Sequence, residues 1–321
     1  MHSFKELVEL YGQRFKRKHF PDEPFNLYEP AEYFLGIGGK RIRPVLLLMA
    51  HELFEEIHED TWHAADALEL FHNFTLLHDD VMDDSNVRRG QQTVHKRNDV
   101  NTAILSGDAM LIKAYDYINK ITKDKQAHIL SMFNKTALEV CEGQQYDMDF
   151  EKRNDVTIEE YLHMITLKTS VLLACSVYLG GYLGGASAYN THQLYEFGKY
   201  LGIGFQIQDD YLDCYGNSEK FGKKIGSDIR KNKKTFLLIK ALESADAKNK
   251  AIIHELLLSP TDDKVEKMLQ VYEDTGAKKW TEQLKQEYSG KALQALEKVV
   301  VTQDRKNKLI ELSDYLLHRQ S

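Results

Sequence analysis

Leu68-Glu69-Leu70-Phe71-His72-Asn73-Phe74-Thr75-Leu76-Leu77-His78-Asp79-Asp80-Val81-Met82-Asp83 is the stretch on which the fold turns. Its apolar residues recur at helical spacing, and it ends in a D-D-x-x-D box. In a helix, positions i and i+4 are stacked neighbours, so Asp79 and Asp83 form a two-carboxylate claw. The box returns 130 residues later as Asp209-Asp210-Tyr211-Leu212-Asp213. One such box is ordinarily a solvated acidic face. Here each copy follows an apolar run, Phe74 to Leu77 and Ile203 to Ile207, where unpaired charge is costly and tends to mark a site. Oxygen-only ligands select a hard ion, Mg²⁺ foremost, which shares its shell with substrate phosphates. Two facing claws could grip a diphosphate through bridging ions.

The long helices that such claws need are permitted by the proline distribution. All five prolines lie at Pro21, Pro24, Pro30, Pro44 and Pro260, leaving 215 consecutive residues from Val45 to Ser259 without one. That favours an all-α chain. Helical patterns are predicted over about 45–57, 61–83, 98–120, 126–148, 158–185 and 190–214, with amphipathic helices again from Phe236 to about His318. With 321 residues and 42% hydrophobic content, the chain can bury one large core; no linker argues for two, so a single domain over 1–321 is expected.

The net charge of −7 argues against broad nucleic-acid binding, and the clustered basic residues suit a compact anion. Cys141, Cys175 and Cys214 are few and widely spaced, which reads as buried thiols in a reducing compartment. Met1-His2-Ser3-Phe4-Lys5-Glu6 has no apolar signal core, and no run of about 18 apolar residues suggests a bilayer span. A soluble cytoplasmic protein without stable membrane insertion is expected.

Basic groups surround the boxes in order. Gly36-Ile37-Gly38-Gly39-Lys40-Arg41-Ile42-Arg43-Pro44 is a glycine turn feeding a helix, a good anion site with Lys40 and Arg43 three residues apart. Leu68, His72 and Thr75 lie within about 40° of the Asp79 direction, so His72 faces the claw. Arg88 and Arg89 supply forked donors for phosphate, or simple salt bridges to Asp83 or Asp84. Lys168-Thr169 interrupts an apolar segment from Met164 to Ala174, where a bare ammonium needs an anion. Gln144 follows Gly143, and Gln206 shares the face of Asp209. Residues 217–235 break the helical pattern with basic residues and read as a mobile lid.

Taken together, G-G-K-R-I-R-P, H-x(6)-D-D-x-x-D, R-R-G, G-Q-x-x-D, K-T, F-Q-I-Q-D-D-x-x-D and K-I-G-S-D resemble the trans-isoprenyl diphosphate synthase (polyprenyl synthetase) family, in register from about Gly38 to Thr235. The resemblance implies a bundle of roughly ten or more helices around a central cavity, normally a homodimer. It implies that Gly39, Lys40, Arg43, His72 and Arg89 bind isopentenyl diphosphate. Arg88, Lys168, Thr169, Gln206, Lys224 and Lys233 would bind the allylic diphosphate. Asp79, Asp83 and Asp209 would hold Mg²⁺, about three ions per site, with Asp80, Asp210 and Asp213 in support. The implied chemistry is ionisation of an allylic diphosphate and attack on the cation by the double bond of isopentenyl diphosphate, in an apolar cavity that excludes water.

Chain length follows from the same resemblance, which places the stop at Thr75 and Phe74, with Phe71 one turn further. Helical geometry agrees for Thr75 but turns Phe74 about 140° away from Asp79. One aromatic with a small neighbour resembles synthases that make geranylgeranyl diphosphate; two adjacent aromatics would favour farnesyl. The rival classes fit less well. A class I terpene cyclase normally has a different second metal motif and no use for a Lys40/Arg43/Arg89 site. A phosphohydrolase built on His78-Asp79 needs further histidine ligands. A non-catalytic synthase subunit has no reason to retain two costly claws.

Overall fold

The structure, a computed structural model, describes residues 1–216, 225–258 and 261–318. The described residues are helical almost throughout. In chain order the helices are α1 Phe4–Phe15, α2 Phe25–Gly36, α3 Ile42–Glu52, α4 Glu59–Met82, α5 Val94–Arg97, α6 Val100–Ile118, α7 Lys123–Glu151, α8 Ile158–Ile165, α9 Val171–Leu183, α10 Ala188–Tyr215, α11 Ser227–Arg230, α12 Phe236–Ser244, α13 Ala247–Leu258, α14 Lys264–Asp274, α15 Ala277–Glu297 and α16 Gln303–His318. A π-helical turn, Thr166–Ser170, joins α8 to α9. A two-stranded hairpin, β1 Val87–Arg88 and β2 Gln91–Gln92, follows α4.

The chain divides into two compact units. Unit 1 comprises Met1–Phe133, Ser176–Leu194 and Val300–Leu309; unit 2 comprises Asn134–Cys175, Tyr195–Val299 and Ile310–Ser321. In unit 1, α3 is apolar on every side from Pro44 to Ala50 and buried accordingly. Its backbone meets α9 closely, because a Cβ on Gly180 would come within 2.1 Å of the Leu47 carbonyl oxygen. In unit 2, Phe150, Tyr161, Ile207, Phe236 and Ile239 form one apolar cluster. Leu237, Leu238, Met268 and Tyr272 belong to a second.

Several expectations need correction. The helix predicted at 45–57 spans 42–52; Arg305 donates to the Leu53 carbonyl at 2.7 Å, satisfying an acceptor just past its end. The sequence reading does not include α1, α2 or the hairpin, although α1 carries a Ser3/Glu6 capping box and buries Leu7, Tyr11 and Phe15 at i, i+4, i+8 spacing. Ile158–Leu183 is 26 residues of sufficient apolarity to cross a bilayer, contrary to the sequence reading. Yet 72% of its most apolar window is buried within the protein, as in a core helix. Cys141 is exposed, while Cys175 and Cys214 are buried. Of the basic stretch 217–235, residues 217–224 lie outside the described residues. The remainder is folded: α11 begins at Ser227, and Lys234 is buried, donating to the Asn232 carbonyl.

Candidate active site

In unit 1 the first box closes α4. Asp83 is the C-cap, and its N–H donates to the Asp79 carbonyl at 2.8 Å, so the i, i+4 relation survives to the helix end. Asp80 is buried, and burial raises its carboxyl above the ordinary range, opposed by Arg88. Arg88 Nε donates to Asp80 Oδ2 at 2.7 Å, and its other arm lies 3.7 Å from Asp79. The sequence had allowed Asp83 or Asp84 as the partner. Asp84 instead pairs with Lys96 at 2.6 Å.

The hairpin explains how adjacent arginines serve different places. Arg89 and Gly90 adopt φ of +52° and +77°, the two-residue turn that matches strand twist. Arg88 then faces the box, while the Arg89 guanidinium donates to the Gly38 carbonyl. Gly39, at φ +145°, lies beneath it: a Cβ there would sit 2.6 Å from Arg89 Nη1. The backbone conformation favours glycine here, and a larger residue would also displace the Arg89 guanidinium. Arg41 and Asp84 are also left-handed, at +49° each, so strained residues gather around this box.

Arg43, in the first turn of α3, donates from Nη1 to His72 Nε2 at 3.0 Å. Burial drives the His72 imidazole well below its usual range, and Arg43, Arg89, Arg88 and Arg41 push the same way. Burial likewise brings Arg43 down to about 10, with Glu69 opposing and Arg89 adding to the fall. Glu69 accepts from Arg41. The result is a neutral imidazole among four guanidiniums, a concentration of positive charge that an anion relieves. Lys40, between Gly39 and Arg41 in the chain, is exposed. The predicted set Gly39, Lys40, Arg43, His72 and Arg89 thus gathers in unit 1, next to Asp79 and Asp80 through Arg88.

His78 turns away from this group. Its Nε2 contacts the Ile104 carbonyl at 3.1 Å, and a Cβ on Gly107 would strike the ring at 2.3 Å. A joint histidine-aspartate centre at 78–79 is therefore not formed. Along α4, the Phe74 ring packs on His78 with centroids 4.7 Å apart and on Phe71 at 5.8 Å. Phe71 is buried and meets Phe133 edge-on at 5.2 Å. Thr75 donates back to the His72 carbonyl at 2.9 Å. Met110 on α6 is buried in the same unit.

In unit 2 the second box lies near the end of α10. Asp210 is buried and its carboxyl is held well above the ordinary range, first by burial and then by the charge of Asp228, with Asp209 adding to it. Tyr161 donates to one oxygen at 2.7 Å and Gln206 to the other at 2.8 Å. Gln206 in turn accepts from Thr169 at 2.8 Å. Thr169, Gln206 and Asp210 are therefore one hydrogen-bonded chain. Asp213, expected to form a claw with Asp209, accepts the Asp228 backbone N–H at 3.0 Å and so anchors the start of α11.

Lys168 donates to Asp147 at 2.6 Å, and Lys233 reaches the same carboxylate oxygen at 2.9 Å. Burial alone would raise Asp147; the two ammoniums together hold it below the usual range. The π turn that carries Lys168 and Thr169 is squeezed between glycines. A Cβ on Gly143 would come within 2.2 Å of the Lys168 nitrogen, and one on Gly202 within 2.6 Å of Ser170 Cα. Such turns disturb a helix locally and recur at functional sites. Sequence reasoning assigned no role to Asp147, Tyr161 or Asp228, although Asp147 and Asp228 close the G-Q-x-x-D and K-I-G-S-D motifs. Lys224 lies outside the described residues.

An all-α chain with two aspartate boxes, one paired with Arg88 and the other in the unit that holds the Lys168–Asp147–Lys233 cluster, has the make-up of an enzyme class that handles diphosphates through metal ions. The chain belongs to the polyprenyl synthetase family, whose model matches residues 24–275, and it is a prenyltransferase. It is 43% identical over 241 residues to a short chain isoprenyl diphosphate synthase of Methanocaldococcus jannaschii, covering 75% of this chain and 73% of that one. It is 34% identical over 317 residues to a geranylfarnesyl diphosphate synthase of Natronomonas pharaonis, covering 92% and 91%. Among solved structures, a geranylgeranyl pyrophosphate synthase superposes with a TM-score of 0.94 at 42% identity, covering 100% of both chains.

The family uses a divalent metal, and the residues fit one. The donors are carboxylate oxygens, suited to a hard ion. Burial first, and then the charges of Asp228 and Asp209, keep Asp210 from ionising readily, a cost that a bound cation relieves.

Proposed function

We propose that the protein condenses isopentenyl diphosphate with dimethylallyl, geranyl and farnesyl diphosphates to give all-trans geranylgeranyl diphosphate as its main product. The observation that carries this reading is His72, which lies 3.0 Å from Arg43 Nη1 and is held neutral first by burial and then by the charges of Arg43, Arg89, Arg88 and Arg41. A cyclase or a phosphohydrolase has no need of a second anion pocket beside its metal box. Here Gly39, Lys40, Arg43, His72 and Arg89 bind isopentenyl diphosphate. Arg88, Lys168, Thr169, Gln206, Lys224 and Lys233 bind the allylic diphosphate.

Asp79, Asp83 and Asp209 hold Mg²⁺, about three ions, and Asp80, Asp210 and Asp213 support them. When bound, the metal neutralises charge on the departing diphosphate. Lys168 and Lys233, positioned by Asp147, bind the same diphosphate, and Gln206 and Thr169 orient it. The allylic C–O bond breaks with its electron pair passing to the diphosphate. The double bond of isopentenyl diphosphate then attacks the cation, and the departed diphosphate takes the proton released. Phe71, Phe74 and Thr75 line the path of the growing chain and set its length.

We assign both units to one catalytic domain in a cytoplasmic, soluble homodimer. Val100, Ile104, Leu105 and Ile112 leave apolar surface exposed on α6, as a partner helix would cover. The reading is tested by mass analysis of products from isopentenyl diphosphate with each allylic starter and Mg²⁺. Linear C20 diphosphate from all three supports it; cyclic hydrocarbon, or free phosphate alone, refutes it.

A further inference from the structure

Outside the aspartate boxes, unit 1 gathers a second set of metal-binding side chains where α3 hands over to α4. His51 lies in the last turn of α3 and is fully buried. His58 is the residue before α4, and Glu55 lies in the connection between them. One donor atom from each of His51, Glu55 and His58 lies within 4.8 Å of the other two. The two rings meet edge to face, with centroids 4.8 Å apart.

Hydrogen bonds fix which ring nitrogens are available. His51 Nε2 donates to the Glu56 carbonyl at 2.9 Å, and His58 Nε2 donates to the Leu183 carbonyl at 3.3 Å. A carbonyl can only accept, so each Nε2 carries the proton and each Nδ1 presents a lone pair. Both Nδ1 atoms converge on one hydroxyl, Thr61 Oγ1, at 3.1 Å and 3.5 Å. That hydroxyl has a single proton, so it satisfies one imidazole and leaves the other facing oxygen lone pairs. Two histidines whose far nitrogens are tied to backbone carbonyls are oriented as metal ligands are.

We infer that His51 Nδ1, His58 Nδ1 and the Glu55 carboxylate form a binding site for one divalent ion of the zinc class, separate from the Mg²⁺ boxes. Two imidazoles and a carboxylate are the ligand set of a three-protein-ligand zinc site with solvent in the fourth position. Hard Mg²⁺ disfavours the nitrogens, so the site discriminates between the two ions. Binding needs the Thr61 hydroxyl to turn aside and Glu55, which is exposed, to swing inward. The ion clamps the end of α3 to the start of α4. The same helices carry Arg43 and His72, so the clamp stiffens the frame behind the anion pocket.

The test titrates Zn²⁺ into tag-free full-length protein held in excess Mg²⁺, with a chromogenic zinc chelator as competitor, for wild type, His58→Gln and Glu55→Gln. Wild type should hold one more tight Zn²⁺ per chain than His58→Gln, with affinity at that site lowered at least about 100-fold by the substitution. Glu55→Gln, at an exposed position, should weaken it less while leaving thermal stability in chelator unchanged. Cobalt should give wild type a visible tetrahedral absorption band that His58→Gln lacks. Equal zinc stoichiometry in wild type and both variants, or a cobalt band retained in His58→Gln, would overturn the site. If His58→Gln fails to fold, unchanged zinc affinity in Glu55→Gln together with no cobalt band in wild type overturns it equally.

Discussion

Arg43 Nη1 lies 3.0 Å from His72 Nε2, so a charged guanidinium donates to a ring that must be neutral to accept. The ring is a proton-poor partner inside a positive pocket, with its folded value far below that of a free histidine. Unfolding releases it to protonate. The unfolded chain therefore binds more protons than the folded one below about pH 6.5, and stability falls as pH drops through that value. One such group contributes up to about 1.4 kcal/mol per pH unit. Denaturant unfolding of wild type and His72→Gln at pH 7 and pH 5 should show the variant losing about 1–2 kcal/mol less over that interval. Identical pH sensitivity would show that His72 titrates normally.

Gly143 presses on the π turn that carries Lys168, and a Cβ there has no room against backbone. Gly143→Ala should cost about 1–3 kcal/mol and raise KM for the allylic substrate, because relief of the clash moves Lys168. Gly12, in the middle of α1 with nothing within 4 Å of its added Cβ, is the contrast. Gly12→Ala should gain about 0.5–1 kcal/mol with no kinetic effect. Paired thermal melts decide the matter; equal effects would mean that the close approach at Gly143 is not a constraint.

The cations divide between substrates. Arg89 belongs to the pocket around His72, whereas Lys168 shares Asp147 with Lys233. Arg89→Ala should chiefly raise KM for isopentenyl diphosphate, and Lys168→Ala chiefly that for the allylic diphosphate, each about tenfold or more for loss of a charge-assisted bond. Titration of both substrates against both variants tests it. Equal losses for both substrates would refute the division.

How much of this was legible in the sequence depends on the length scale of the pattern. The long helices α4, α7 and α10 announced themselves through proline-free periodicity, and the boxes through i, i+4 carboxylates. The hairpin did not, because a two-residue strand has no period; its only mark was glycine after Arg89. The second claw also reads differently in three dimensions, since one Asp213 oxygen accepts the Asp228 backbone N–H. Asp147 escaped because a buried carboxylate between two lysines depends on Lys233, 86 residues away, folding back to it. Similarly, the wheel that set Phe74 apart from Asp79 agrees with the structure, in which its ring packs on His78 and Phe71.

That placement bears on product length. Phe71, Phe74 and Phe133 form a contiguous aromatic group, edge-on or tilted, in unit 1. Removing the Phe74 ring from one end of this group, where it packs on Phe71 and His78, opens space that its neighbours fill incompletely. Phe74→Ala should therefore lengthen the main product by one or more C5 units, and Thr75→Phe should shorten it toward farnesyl diphosphate. Chromatography of dephosphorylated products reads both. An unchanged distribution in Phe74→Ala would move the stop to Phe71 or to Met110 on α6.

The central claim is that both aspartate boxes act in the ionising step, and the most direct measurement is steady-state turnover of Asp79→Ala and Asp209→Ala at saturating Mg²⁺, with helical circular dichroism recorded on the same samples. Each variant should lose at least about 10²-fold in kcat while its helical content stays at the wild-type level, since each removes charge stabilisation needed only as the C–O bond breaks. Near wild-type rates in either variant would contradict the account.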